Sequence, residues 1–159
     1  MRDARALDQL RETGEAIVDG VARCVPEWAV TQVARVLDAW GQLDVDARAQ
    51  ADADVRRAGD AAGRRVVDAL RGLLAVDPAA QGATPLEVVR TAVREPTAVL
   101  TGLGVPPVER DEFEERAFPD DRYGLVPRTL GDLGDESLAP LHLAWGMAKA
   151  AVLRARSHS

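Results

Sequence analysis

Cysteine occurs once in these 159 residues, at Cys24, so no intramolecular disulfide can form and no CxxC metal or redox pair exists. The expected compartment is therefore the reducing cytoplasm. Histidine occurs twice, at His142 and His158, which leaves a His-based zinc site short of ligands. The Glu-x-x-His pairs that a di-iron helical bundle requires are missing. There is no glycine-rich phosphate loop with a following lysine and no dinucleotide fingerprint, so no cofactor or metal is expected. No run approaches the ~20 apolar residues of a membrane span, and the opening MRDARALDQLRE lacks the apolar stretch of a secretory signal. Bulky side chains are scarce too: one isoleucine (Ile17), one tyrosine and two phenylalanines. A core of alanine, valine and leucine favours closely approaching helices over a sheet, and the fold class expected is all-α.

What is abundant is charge. Twenty basic residues oppose 26 acidic ones, for a net charge of −6 and a pI near 5.0. All the basic residues but Lys149 are arginine, and asparagine is absent. That bias matches the codon usage of a GC-rich bacterial genome better than phosphate recognition. Nucleic-acid and anionic-membrane binding, which rest on positive charge, are not expected. The composition, 47% hydrophobic and 29% charged, is that of one globular domain spanning 1–159.

Apolar residues at spacings of three and four outline a bundle of five to seven helices. The first runs over 3–25, through Leu7, Leu10, Ile17, Val21 and Val25. Pro26 suits the first turn of a new helix over 26–40, which Gly41 ends. A long helix over 44–76 carries Ala51, Val55, Ala58, Ala62, Val66, Leu70 and Leu73 and stops at Asp77-Pro78. Its ~45–50 Å length exceeds the ~40 Å diameter of a compact domain of this size. It must bend at Gly59 and Gly63 or find a partner, and its small residues suit a second copy. Thr84-Pro85-Leu86-Glu87 reads as a capping box opening a helix over 85–94. Shorter helices follow over 96–103 and 108–118, within or beside an irregular Pro/Gly-rich segment over 104–134. The last helix, 136–156, has its stripe at Leu138, Leu141, Trp145, Ala148 and Val152.

Residues that could carry chemistry have ordinary structural explanations. The arginines of the long helix follow acids at helical spacing, as in Asp44–Arg48, Asp52–Arg56, Asp60–Arg64 and Asp68–Arg71, the pattern of a solvated face. The acids of ERDEFEE lie on one short helix and point in several directions, whereas acid–base or metal chemistry needs them to converge. Cys24 sits on an apolar helix face, where cysteine is ordinarily inert. Trp28, Trp40 and Trp145, with His142, are candidates for the core or for a pocket. The most distinctive surface candidate is FEERAFPDDRYG, where Phe113, Phe118 and Tyr123 alternate with Arg116, Asp120, Asp121 and Arg122. Such residues recognise a partner or pin an irregular loop to the bundle.

The stretch DEFEERAFPDDRYGLVPRTLGDLGDESLAPLHLAWGMAKA resembles the C-terminal half of an uncharacterised actinobacterial family of small all-α proteins. In that family an aromatic-Pro-Asp-Asp stretch precedes a helix with a Trp-Gly-x-Ala-Lys-like segment, here Trp145 to Lys149. The resemblance covers about residues 85–156 and implies a bacterial source but no activity. With no catalytic constellation in view, the function expected is non-enzymatic protein–protein interaction, as an adaptor, regulator or accessory subunit, with a homo-oligomer through helix 44–76. The alternative is a small-molecule-binding bundle with a Trp-lined pocket.

Overall fold

A computed structural model describes residues 2–158, and among these every regular element is helical. Six α-helices are joined by turns and two short 3-10 helices: α1 Arg2–Trp40, α2 Val45–Ala75, α3 Pro85–Val89, α4 Arg94–Gly102, α5 Glu112–Ala117 and α6 Leu138–Ser157. No described helix is long and apolar enough to cross a membrane.

The two longest helices form an antiparallel hairpin. Gly41, at φ +63°, ends α1 by donating its N–H to the Leu37 carbonyl at 2.9 Å, a conformation only glycine adopts without cost. Asp44 then caps α2 by accepting from the Ala47 N–H at 2.7 Å. α2 is continuous and does not project. With 39 residues against 31, α1 is the longer partner, and at 1.5 Å per residue the pair lies side by side over ~45 Å. The small-residue face expected to meet another copy is spent within the chain: Ala51, Ala58, Gly59, Ala62 and Gly63 are buried. A Cβ added at Gly59 would lie 3.0 Å from the Pro26 carbonyl oxygen, and one at Gly63 would lie 3.4 Å from the Pro26 ring.

Pro26 corrects the boundary expected at 25/26, because the chain runs helical through it. Proline removes one hydrogen bond, to the Ala22 carbonyl, but Ala22 is exposed and water can replace it. Meanwhile Val18, Val21, Val25, Ala29, Val33 and Leu37 keep one continuous apolar phase, so breaking the helix would strand half the stripe. Packing outweighs the local break signal.

α6 runs antiparallel along the other side of α1. Leu138 fills the space above Gly20, and Trp145 with Leu74 fills that above Gly14. Arg156 reaches Asp3 at 3.2 Å and also binds Asp77, while Lys149 donates to the Gln81 carbonyl, so the C-terminal helix holds the N-terminus and the 77–83 loop together. The Thr84 capping box forms as expected. The helices expected over 85–94 and 96–103 are corrected to α3, a 3-10 turn Arg90–Val93 and α4, with Pro96 inside the first turn of α4. The helix expected over 108–118 shortens to the six residues of α5, and the irregular 104–134 segment also holds a 3-10 turn, Leu130–Leu133.

Candidate functional site

The arginine pairings differ from the helical spacing. Asp44 is used as a cap, and Arg48 instead bridges Asp38 at 2.6 Å and Asp52 at 3.0 Å. Arg56 faces Glu27 across the hairpin at 3.9 Å, and Arg65 pairs with Glu95 of α4 at 2.7 Å. These are surface pairs, worth little each, but they show that the basic stripe is neutralised between helices as well as along one.

The aromatic–acidic segment divides into an inner and an outer set. Tyr123 is 3% exposed, donates its hydroxyl proton to the Val105 carbonyl at 2.8 Å and lies 3.3 Å from the Thr101 hydroxyl. Asp121 is 6% exposed, and its two carboxylate oxygens accept from the Leu125 and Val126 N–H groups at 2.7 and 2.9 Å. Both organise a loop without regular backbone pairing. Phe113, by contrast, is 69% exposed, Arg116 forms an exposed pair with Glu112 at 3.3 Å, and Asp120 and Arg122 face solvent. Phe118 is half-buried beneath the Arg90 guanidinium, which sits 4.9 Å from the ring centroid, a cation–π contact. The Phe118 carbonyl accepts from Arg110 at 2.6 Å.

This loop leans against the α3–α4 region, and between them lies a cleft of about 490 Å³, large enough for a small organic ligand. Its lining includes Arg90, Arg94 and Thr97 on one side and Phe118, Asp120 and Val126 on the other. No tryptophan lines it. Trp145 and Trp28 are buried in the core and Trp40 packs against its edge. The small gap beside Trp145 admits no water-sized molecule. His142 is half-buried, and its Nδ1, like Trp145 Nε1, is enclosed without a hydrogen-bond partner. Trp28 and Cys24 share a shallow depression of about 320 Å³ with Asp132. Burial, reinforced by the Asp135 carboxylate and opposed by Arg23, pushes the Cys24 thiol up from its ordinary pKa. It stays protonated at neutral pH and is a poor nucleophile.

One exposed feature was not singled out from the sequence. α6 is apolar on both faces: Leu138, Trp145 and Val152 point inward, while Leu143 and Met147 are 67% and 65% exposed. A cleft of mixed charge and an apolar pair on the outer side of α6 are two places where the described surface departs from a plain solvated exterior. Comparison with known protein families, with characterised proteins and with solved structures finds no match to this chain.

Proposed function

We propose that this chain works through protein–protein contact, as an adaptor, regulator or accessory subunit and not as a catalyst, and that its exposed helix face receives a second copy of the chain. The observation that carries the reading is the outer side of α6. At 100° per residue, Leu143 and Met147 each lie about 160° around the axis from the buried Trp145, so they point straight away from the core. An outward apolar pair on a helix whose inner stripe is already satisfied has no use in the monomer.

The choice of a second copy rests on the charges bracketing that pair. Glu136 precedes α6 by two residues and Arg154 lies in its last turn, both exposed and neither engaged in an ion pair among the described residues. Pairing two α6 helices antiparallel about a two-fold axis places Leu143 against Met147 of the other copy, Pro140 against Ala150, and Glu136 against Arg154. That arrangement is self-complementary, as a two-fold interface must be. A helix of 20 residues is ~30 Å long and cannot alone supply the ~800 Å² per partner of a standard stable interface, so the dimer expected is reversible at micromolar concentration. The proposed compartment is the cytoplasm, which suits a fold held by packing around a single free thiol.

Sedimentation velocity from micromolar to millimolar protein tests this. Association should rise with concentration, disappear in Met147→Glu, weaken in Glu136→Arg and recover when Arg154→Glu is added. A monomer at every concentration, or association that Met147→Glu leaves unchanged while the thermal midpoint holds, would remove the second copy as the partner of this face.

A further inference from the structure

We propose that the cleft between the Arg90–α4 region and the 117–126 loop is a binding site for a small ligand carrying an oxyanion on an apolar body. The site is distinct from the α6 face, and neither proposal depends on the other. The argument is a census of hydrogen-bonding groups around the cleft. Glu87 is occupied, accepting from the Thr84 N–H at 3.0 Å in the capping box. Both oxygens of Asp121 are occupied by backbone N–H groups, and the Thr91 hydroxyl donates to the Val88 carbonyl at 2.7 Å. Arg90 donates only its Nε, to the Pro127 carbonyl at 3.4 Å, and rests on Phe118. Among the described residues its two terminal nitrogens have no acceptor, although the side chain is held in place.

Two sets of donors therefore remain unspent at one cleft, the terminal nitrogens of Arg90 and the guanidinium of Arg94, while the Thr97 hydroxyl is enclosed in the wall behind them. Arg90 opens the 3-10 turn and Arg94 opens α4, both line the cleft, and neither is within ion-pair distance of a carboxylate among the described residues. Arg48, Arg65 and Arg128 show the alternative, each bridging a carboxylate on another element. An oxyanion is the group that fills these donors, since guanidinium presents a fork matched to carboxylate and phosphate. The remaining lining, including Val93, Pro119 and Val126, gives an apolar body its place. The carboxylate of Asp120, unpaired and on the opposite lining, selects against a second negative charge.

Isothermal titration of the full chain with 4-phenylbutyrate, phenethyl phosphate and the neutral 4-phenylbutyramide tests the site. The carboxylate monoanion should bind saturably and more tightly than the phosphate, which is mostly doubly charged at neutral pH, and the amide should bind at least about tenfold more weakly than the carboxylate, the expected loss of a charge-assisted hydrogen bond. Arg94 is exposed and unpaired, so Arg94→Met should weaken the anion about tenfold without altering the thermal midpoint. Asp120→Asn should tighten it. Absence of saturable binding by either anion, equal binding of the amide, or weaker binding in Asp120→Asn would each overturn the proposal.

Discussion

Two glycines of α2, thirteen residues apart in sequence, should respond with opposite sign to the same substitution. Gly72 is exposed in the helix interior, and a Cβ there would meet nothing within 4 Å. Gly72→Ala should therefore gain the full difference in helix propensity, about 1 kcal/mol. That raises the thermal midpoint by roughly 2–4 °C for a chain of this size. Gly59→Ala gains the same propensity, but its Cβ would lie 3.0 Å from the Pro26 carbonyl oxygen, 3.3 Å from the Pro26 Cα and 3.4 Å from the Ala29 Cβ. Two of those atoms are backbone and cannot rotate away. To accept the methyl group α1 and α2 must part by a few tenths of an ångström along a tightly packed seam, and overpacking of this kind costs about 1–3 kcal/mol. The net change runs from about zero to a loss of ~2 kcal/mol, and the two variants should be separated by about 1–3 kcal/mol. Thermal and urea melts followed by circular dichroism at 222 nm measure both. If Gly59→Ala stabilises as much as Gly72→Ala, the helices are not in contact at Pro26 and the account of how the proline is accommodated is wrong.

Two further outcomes follow from the loop and the ion pairs. Tyr123→Phe removes the donor to the buried Val105 carbonyl and should cost about 1–3 kcal/mol in urea melts, whereas Phe113→Ala, ten residues away and exposed, should stay within about 0.5 kcal/mol; equal effects would mean that the inner and outer division of the segment is mistaken. The hydrogen bond from Arg156 holds the Asp77 carboxyl below its ordinary pKa, and the Ser137 hydroxyl and N–H do the same for Asp135. A carboxyl with a lowered folded-state pKa binds more protons unfolded than folded, so its contribution is complete above about pH 4 and is lost as pH falls through the lowered value. The midpoint difference between wild type and Asp77→Asn should accordingly shrink on acidification below about pH 4, and a difference that grows instead would refute the assignment.

Much of the fold was legible because its signals are local. Gly41 and the Thr84–Glu87 box specify their turns through hydrogen bonds spanning three or four residues. The inner stripe of α6 marks its buried face by period alone. What stayed hidden depends on partners remote in sequence. Pro26 reads as a break until the uninterrupted phase of Val25, Ala29 and Val33 is weighed against it, and its tolerance depends on Gly59 and Gly63 lying opposite. Arg65 looks like one more solvated charge until α4 brings Glu95 to it. Asp121, in an acid-rich run, looks exposed, but two backbone N–H groups of an irregular loop need an acceptor there. The cleft joins residues 87–97 to 117–126, and no spacing records that approach.

The outer face of α6 escaped notice for a different reason, and that reason bears on its meaning. A period search asks where apolar residues recur, finds Leu138, Trp145 and Val152, and treats the others as background. Leu143 and Met147 fall on the opposite side of the same helix, where an isolated apolar residue is unremarkable. Only the fold shows that nothing covers them, since α1 contacts the Trp145 side. Each exposed apolar residue alone is ordinary. An outward pair one turn apart, flanked by Glu136 and Arg154 in the order that an antiparallel copy would require, is a pattern with its own symmetry. That symmetry makes the second copy a sharper proposal than a generic sticky patch. It fixes which charges must be exchanged together for association to survive, and exchanging Glu136 or Arg154 alone must weaken it.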